Sequence, residues 1–515
     1  MSGLREKLGR LRGPSAAQAT PPTLPAADGE WAHLGAHIET SPAGSFVMRR
    51  RVYGEDSVHG KYRLRELADV AQQLSCFYDR DAVVRLEELL FFDTETTGLG
   101  IGAGNVPFMV GIGCYTGELF TVEQLLIRNP AEEHAMLVYL QDLLARFTHI
   151  ISYNGRTFDW PILKNRYVLN RLQLDDAKLL QLDLLYPSRS LWRNTLPSCR
   201  LSKVEESRLG FERVDDVPGS MAPALYFQYL AEKNPSVLEG VFVHNEHDIV
   251  TLAALAIHFG KLLSGGSGAT GRMASYYSGL EQSKGLPLNG GHELDLEPGF
   301  GQELEPELET ELELKTELEL ELELQPEPEL ELEELFRTAL WLDKMGRSAI
   351  AENYFEELFA RLMNDTRSSN PADQESAILQ LAAFYKKNGE YLRAVGLWKQ
   401  WIVIKNTSIA LHLEPYLELA MYYEHREKNF AQAIFYAEEA WAKLWRRRSL
   451  HRGDKRQNEV EEALEKRIRR LKGKLNKTES HSFEMTSLAV KGKNTSKVKN
   501  KSRKTKPIYV SEGLI

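Results

Sequence analysis

Three short stretches of this 515-residue chain hold residues whose types and spacing could do chemistry together. The first is Phe91-Phe92-Asp93-Thr94-Glu95-Thr96-Thr97-Gly98-Leu99. Residues i and i+2 of a strand share a face, so Asp93 and Glu95 project side by side. Adjacent carboxylates repel unless a cation lies between them. Hard oxygen donors on one face suit Mg²⁺ or Mn²⁺. A bare D-x-E recurs by chance; the apolar lead-in and the T-T-G-L continuation make this instance specific.

The second stretch runs from His149 to Asp159, an apolar strand ending at Asn154-Gly155 with Asp159 opening a helix. Taken alone, Asp159 is equally explained as an acid favoured at a helix N-terminus. The third is His244-Asn245-Glu246-His247-Asp248 at the head of an apolar helix. His244 and Asp248 are i and i+4, on one helix face. A single His is more often structural; its pairing with Asp248 raises the functional reading.

Around these acids, Arg156, Lys164, Arg166 and Arg171 could face phosphates, with Lys164 and Arg171 on one helix face, or form a solvated surface. Tyr153 and Phe158 could stack on a base or pack in the core. The Gly98-x-Gly100-x-Gly102-x-Gly104 run has the wrong spacing for a nucleotide fingerprint and reads as a mobile loop.

The elements that must position these residues read as α/β from 89 to 263. Leu89–Asp93 is a short apolar run. Phe108–Tyr115 and Leu119–Ile127 form a hairpin turning at Thr116-Gly117. Glu132–Phe147, Phe158–Leu172, Pro223–Glu232 and Asn245–Leu263 are helical, and His149–Tyr153 is a buried strand. Ser45–Tyr53 and Lys61–Leu67 add two strands upstream. A mixed sheet with flanking helices follows. The domain therefore spans 45–263, behind a segment 1–44, rich in Ala, Pro and Gly, that is expected to be disordered.

Residues 264–333 read as a linker, first Gly/Ser and then Glu-Leu: odd positions from 303 to 333 are Glu except Lys315 and Gln325. Strict period two is formally a strand pattern, but a row of Glu on one face repels itself, so disorder or a fluctuating helix is the expectation. From 334 to 450 small residues recur at helical-hairpin spacing: Ala339 and Ala351 with Phe355, Ala382 and Ala394 with Trp398, Ala420 and Ala433 with Ala437. The middle unit resembles a tetratricopeptide (TPR) repeat, with an ordinary helical bundle as the other reading. Residues 451–515 are basic; Asn458–Leu475 reads as a charged helix, and nothing beyond Lys477 suggests a fold.

The composition bounds the class. Hydrophobic residues make up 43% and charged residues 27%, ordinary for a globular protein. The net charge of −9 averages opposite blocks: −14 between Glu303 and Glu334, +8 between Met485 and Ser511, and near balance elsewhere. Three separated cysteines exclude a disulfide scaffold and suit a reducing cytoplasm. No long apolar run suggests a membrane span. Arg5, Lys7 and Arg10 lack a following apolar region, so no secretory signal is expected.

In order and distance the three motifs resemble the DEDD (DnaQ-like) 3′–5′ exonucleases of the ribonuclease H-like fold. The resemblance implies that Asp93, Glu95, Asp159 and Asp248 hold two divalent ions for hydrolysis of a nucleic-acid phosphodiester. The base position departs from the pattern. Position 243 is Val, so the His-x4-Asp form fails; His244-x3-Asp248 has the Tyr-type spacing with His in the slot. His244 can still accept a proton near neutral pH.

Asp183-Leu184-Leu185, Leu191-Trp192, Ser198-Cys199-Arg200-Leu201, Pro218-Gly219-Ser220 and Tyr226-Phe227-x-Tyr229-Leu230 look like the YprB-like bacterial ribonuclease H-like proteins. That family often appends TPR-like repeats, and the resemblance implies an exonuclease. Asp183 reads as a cap rather than a fifth site acid. Arg156, Lys164 and Tyr153 are the candidate nucleic-acid contacts, and the TPR-like part the candidate protein contact. The competing expectation is a nucleic-acid-binding scaffold that has lost turnover.

Overall fold

The computed structural model describes residues 29–78, 82–98, 100, 104–265, 330–364, 371–405, 412–448 and 455–491. The chain divides into two compact units, 1–364 and 365–515. The expected linker lies largely outside the described residues, as do Gly102 of the glycine run and the segment 1–28.

The first unit is built on a mixed seven-stranded sheet of order β1-β2-β7-β6-β5-β8-β9. Its strands are β1 (Ala36–Ser41), β2 (Gly44–Tyr53), β5 (Leu89–Thr96), β6 (Pro107–Thr116), β7 (Leu119–Leu126), β8 (His149–Ser152) and β9 (Leu180–Asp183); β3 (Val58–His59) and β4 (Tyr62–Arg63) form a separate small hairpin. β5, β6, β7, β2 and β1 run antiparallel in that spatial order, while β8 and β9 lie parallel to β5. Leu89–Phe92 and His149–Ser152 are buried throughout, as expected of inner strands covered on both faces.

The flanking helices are α1 (Glu133–Leu144), α2 (Asp159–Leu169), α3 (Leu185–Trp192), α4 (Ala222–Glu232) and α5 (Glu239–Ser264). α5 packs on the face of β6 that carries Gly111 and Gly113. A Cβ at Gly111 would fall 2.2 Å from Asn245 Oδ1, and one at Gly113 2.6 Å from Ile249 Cγ2. The two glycines remove side chains where a helix must approach the strand backbone closely.

Three readings are corrected. Residues 29–41 are ordered: Trp31 and Leu34 are buried, and β1 pairs with β2 in full register from Ala36↔Arg49 to Ser41↔Gly44. Two apolar anchors and a paired neighbour outweigh a Pro/Gly-rich average. The strand expected over 61–67 shrinks to Tyr62–Arg63, after which Leu64 begins helical turns. α2 ends at Leu169, with Arg171 beyond it at φ 57°, so Lys164 and Arg171 do not share a helix face.

The first unit also includes α6 (Leu332–Lys344) and α7 (Ser348–Asn364), an antiparallel pair. The second unit is all helical: α8 (Pro371–Lys387), α9 (Tyr391–Lys405), α10 (Glu414–His425), α11 (Phe430–Arg448) and α12 (Lys455–Lys491). α8 packs on α9 and α10 on α11. Gly389, at φ 86°, makes the left-handed turn between α8 and α9. The small and large residues singled out by spacing, from Ala339 to Ala437, are all buried. α12 continues past Lys477 because no glycine or proline interrupts 474–491.

Candidate active site

Asp93 and Glu95 sit at the end of β5, facing α5. Asp93 lies opposite Gly111 in the register, and a bulge at Glu95/Thr96 ends the regular pairing just beyond the acids. Bulges re-aim side chains at strand ends. Asn245 Nδ2 donates to Asp93 Oδ2 at 2.9 Å, through the space left by Gly111.

Asp159 reaches the same place from the next strand. After β8, Asn154 takes a left-handed conformation (φ 66°), and a Cβ on Gly155 would strike Ser152. Asp183 at the end of β9 fixes this turn. Its carboxylate accepts from the backbone N–H groups of Asn154 at 2.7 Å, Arg156 at 3.3 Å and Leu185 at 3.1 Å. Asp183 is thus a capping residue. Asp159 then opens α2 and accepts a hydrogen bond from Thr94 Oγ1, joining the first motif to the second.

Asp248 and His244 come from α5. Arg213 Nη2 donates to Asp248 Oδ1 at 2.6 Å, Nε to Glu205 Oε2 at 2.6 Å and Nη1 to Asp216 Oδ2 at 3.2 Å. His244 Nδ1 lies 2.9 Å from both Asp216 oxygens, and Nε2 lies 3.7 Å from Asp248 Oδ2. A carboxylate only accepts, so Nδ1 carries a proton towards Asp216, while Nε2 faces Asp248 beyond hydrogen-bond distance. A Cβ on Gly219 would come 2.9 Å from Nε2, so glycine leaves that nitrogen open. His247 points elsewhere, packed edge-on against Phe211.

Burial and neighbouring charge perturb Asp93, Glu95 and Asp159. Burial, then the charges of Asp248, Asp159 and Glu95, push the Asp93 carboxyl well above the usual range, against the Asn245 hydrogen bond. Burial, Asp248, Asp159 and Asp216 raise Glu95 in the same way. Burial raises Asp159 to about 6, opposed by its bond from Thr94. Burial alone would lower Arg213, but Asp248 and Glu205 outweigh it and hold the guanidinium charged.

Among the described residues, no three acids or imidazoles converge as a ready-made metal cage. Asp248 is paired with Arg213. The donor set nonetheless suits hard divalent ions: four carboxylates, buried or half-buried, of which only Asp248 is paired with a guanidinium.

The candidate nucleic-acid contacts are less concentrated. Arg156 and Lys164 line an open cleft of about 750 Å³ with Tyr78 and Trp160. Lys164 is paired with Asp176 at 2.7 Å, and Arg166 with Glu133. The Tyr153 hydroxyl donates to the Cys199 carbonyl at 2.7 Å, which commits it to structure.

Residues 90–259 match the family described as RNase_H superfamily. The uncharacterized protein YprB of Bacillus subtilis (strain 168) is 30% identical over 401 residues, covering 76% of this chain and 80% of that protein. The chain belongs to the YprB family. Its strand order, antiparallel β7-β6-β5 followed by parallel β8 and β9, agrees with a ribonuclease H-like fold.

In this YprB-family chain four residues at the site escape the motif reading. Gly111 had a signal, since Gly-x-Gly inside an apolar strand marks close backbone approach. Asn245 sits within the third motif but carries no charge to attract notice. Arg213 and Asp216 lie in a loop with no periodic pattern, and only the tertiary structure brings them to α5.

Proposed function

We propose that this chain is a DEDD-type 3′–5′ exonuclease that hydrolyses nucleic-acid phosphodiester bonds. The observation that carries the reading is the buried cluster of mutually repelling carboxylates, which costs stability and has no structural use of its own. Asp93, Glu95, Asp159 and Asp248 would hold two Mg²⁺ or Mn²⁺ ions. Bound there, the ions would supply charge stabilisation to the transition state and make water more acidic. His244 accepts the proton of the attacking water at Nε2. Asp216 fixes the tautomer that leaves Nε2 free and stabilises the imidazolium once formed. Asn245 and Thr94 orient Asp93 and Asp159. The paired helices of the second unit serve as TPR-like repeats that engage a protein partner.

One contact favours a second reading, a nucleic-acid-binding protein without turnover. The Arg213–Asp248 pair places a built-in cation on the fourth acid. The deciding experiment digests end-labelled DNA and RNA oligonucleotides with Mg²⁺ or Mn²⁺, wild type beside Asp93→Asn. Metal-dependent shortening from the 3′ end, lost in the variant, is the expected result. Binding without cleavage for every substrate selects the second reading.

A further inference from the structure

We propose that a basic groove between α3 and α6 carries the phosphates of a nucleic-acid strand. The inference rests on the nuclease reading above and adds a place for substrate outside the acid cluster. The groove encloses about 520 Å³, and its lining includes Tyr186, Arg189, Arg193, Arg337, Trp341 and Lys344, with no acid. Tyr186, Arg189 and Arg193 follow one another at spacings of three and four, on one face. Arg337, Trp341 and Lys344 do the same on α6.

Charge complementarity selects the occupant. Arg337 is paired with Glu333 at 2.8 Å. Arg189, Arg193 and Lys344 are exposed and make no ion pair among the described residues. The helix dipole favours a cation near a helix C-terminus, which accounts for Arg193 and Lys344 one at a time. It does not account for Arg189, nor for two basic rows facing each other. Tyr186, 48% exposed, adds an aromatic face beside the cations. Cations along a groove with an aromatic platform are what a single strand needs.

The groove is also built in advance. Glu334 is buried between the two helices, accepting from Trp192 Nε1 at 2.8 Å and pairing with Arg208 at 3.1 Å, while Asn194 donates to Glu333 at 3.0 Å. These bonds fix the spacing of the helices without using the three free cations. α3 begins two residues after Asp183, the residue that holds the turn ahead of Asp159.

The test uses the full chain carrying Asp93→Asn, so that no cleavage intervenes. Anisotropy of labelled single-stranded DNA and RNA is followed over a salt series, with and without Arg189→Ala/Arg193→Ala/Lys344→Ala. Three lost phosphate contacts should flatten the slope of log K against log salt by about 2, at roughly 0.7 per contact. Affinity at low salt should fall on the order of tenfold or more. The Arg189→Lys/Arg193→Lys variant should keep the slope. Thermal denaturation checks that the three exposed substitutions leave the fold intact. An unchanged slope in the alanine variant overturns the inference, and if wild type still cleaves oligonucleotides the nuclease reading survives alone. Loss of binding to a Glu-rich peptide with oligonucleotide binding intact also overturns it, assigning the groove to an acidic polypeptide. Wild type that neither binds nor cleaves any oligonucleotide removes both.

Discussion

Without divalent ions, the acid cluster should make the protein less stable as pH rises, and Asp159 gives the size of the effect. Its carboxyl moves from an ordinary 3.8 to about 6 in the folded state. A raised folded pKa means that the protonated form favours folding. That contribution is complete below pH 4 and is lost as pH rises through about 6. A shift of about two units corresponds to on the order of 3 kcal/mol. Asp93 and Glu95 act in the same direction. Carboxylates elsewhere oppose the trend; Glu205, for example, is lowered by His59 and Arg213 despite its burial. The comparison must therefore be with Asp159→Asn, which removes the titration and keeps an oxygen for Thr94. In a chelator, denaturant unfolding of both proteins is measured from pH 4.5 to 8. About a third of the contribution is already lost at pH 4.5, so the variant should gain on wild type by about 2 kcal/mol across the range, and Mn²⁺ at pH 7.5 should close much of the gap by restoring wild type. A stability difference that does not change with pH would refute the account of the cluster as repelling charge.

Other perturbations probe separate parts of the site. His244→Ala should lower turnover on the order of 10²–10⁴-fold, measured as single-turnover cleavage, and Asp216→Asn should lower it less while changing the pH profile. Gly111→Ala forces a methyl group towards Asn245; a loss of about 1–3 kcal/mol in denaturant unfolding and weaker metal-dependent cleavage are expected. Deleting residues 485–515, with their +7 charge, should weaken oligonucleotide binding and flatten its salt dependence, read by anisotropy.

The sheet and the acids were legible because they follow short-range rules. Asp93 and Glu95 lie two apart on an apolar strand, and Asp248 stands just ahead of the long buried run of α5, although the helix itself begins earlier than expected, at Glu239. The hairpin of β6 and β7 was marked by Thr116-Gly117, and its edges agree with the sequence to within a residue or so. What stayed hidden depends on contacts distant in sequence. Arg213 meets Asp248 across 35 positions, and Trp31 packs edge-on against Tyr229 nearly two hundred residues away. His244 shows the same limit: counting residues leaves it one place out of pattern, whereas its Asp216 partner is visible only in three dimensions.

The seating of Glu334 against Trp192 and Arg208 bears on where the first unit ends. Trp341 packs beside Phe259 and Phe77, so α6 is fastened to the body that α5 completes. α5 and α6 therefore belong to one folded unit. Cutting the chain at 264 would strip Trp192, Phe259 and Phe77 of their cover and leave Arg208 without its acid. A fragment that keeps the first unit whole must run to Asn364.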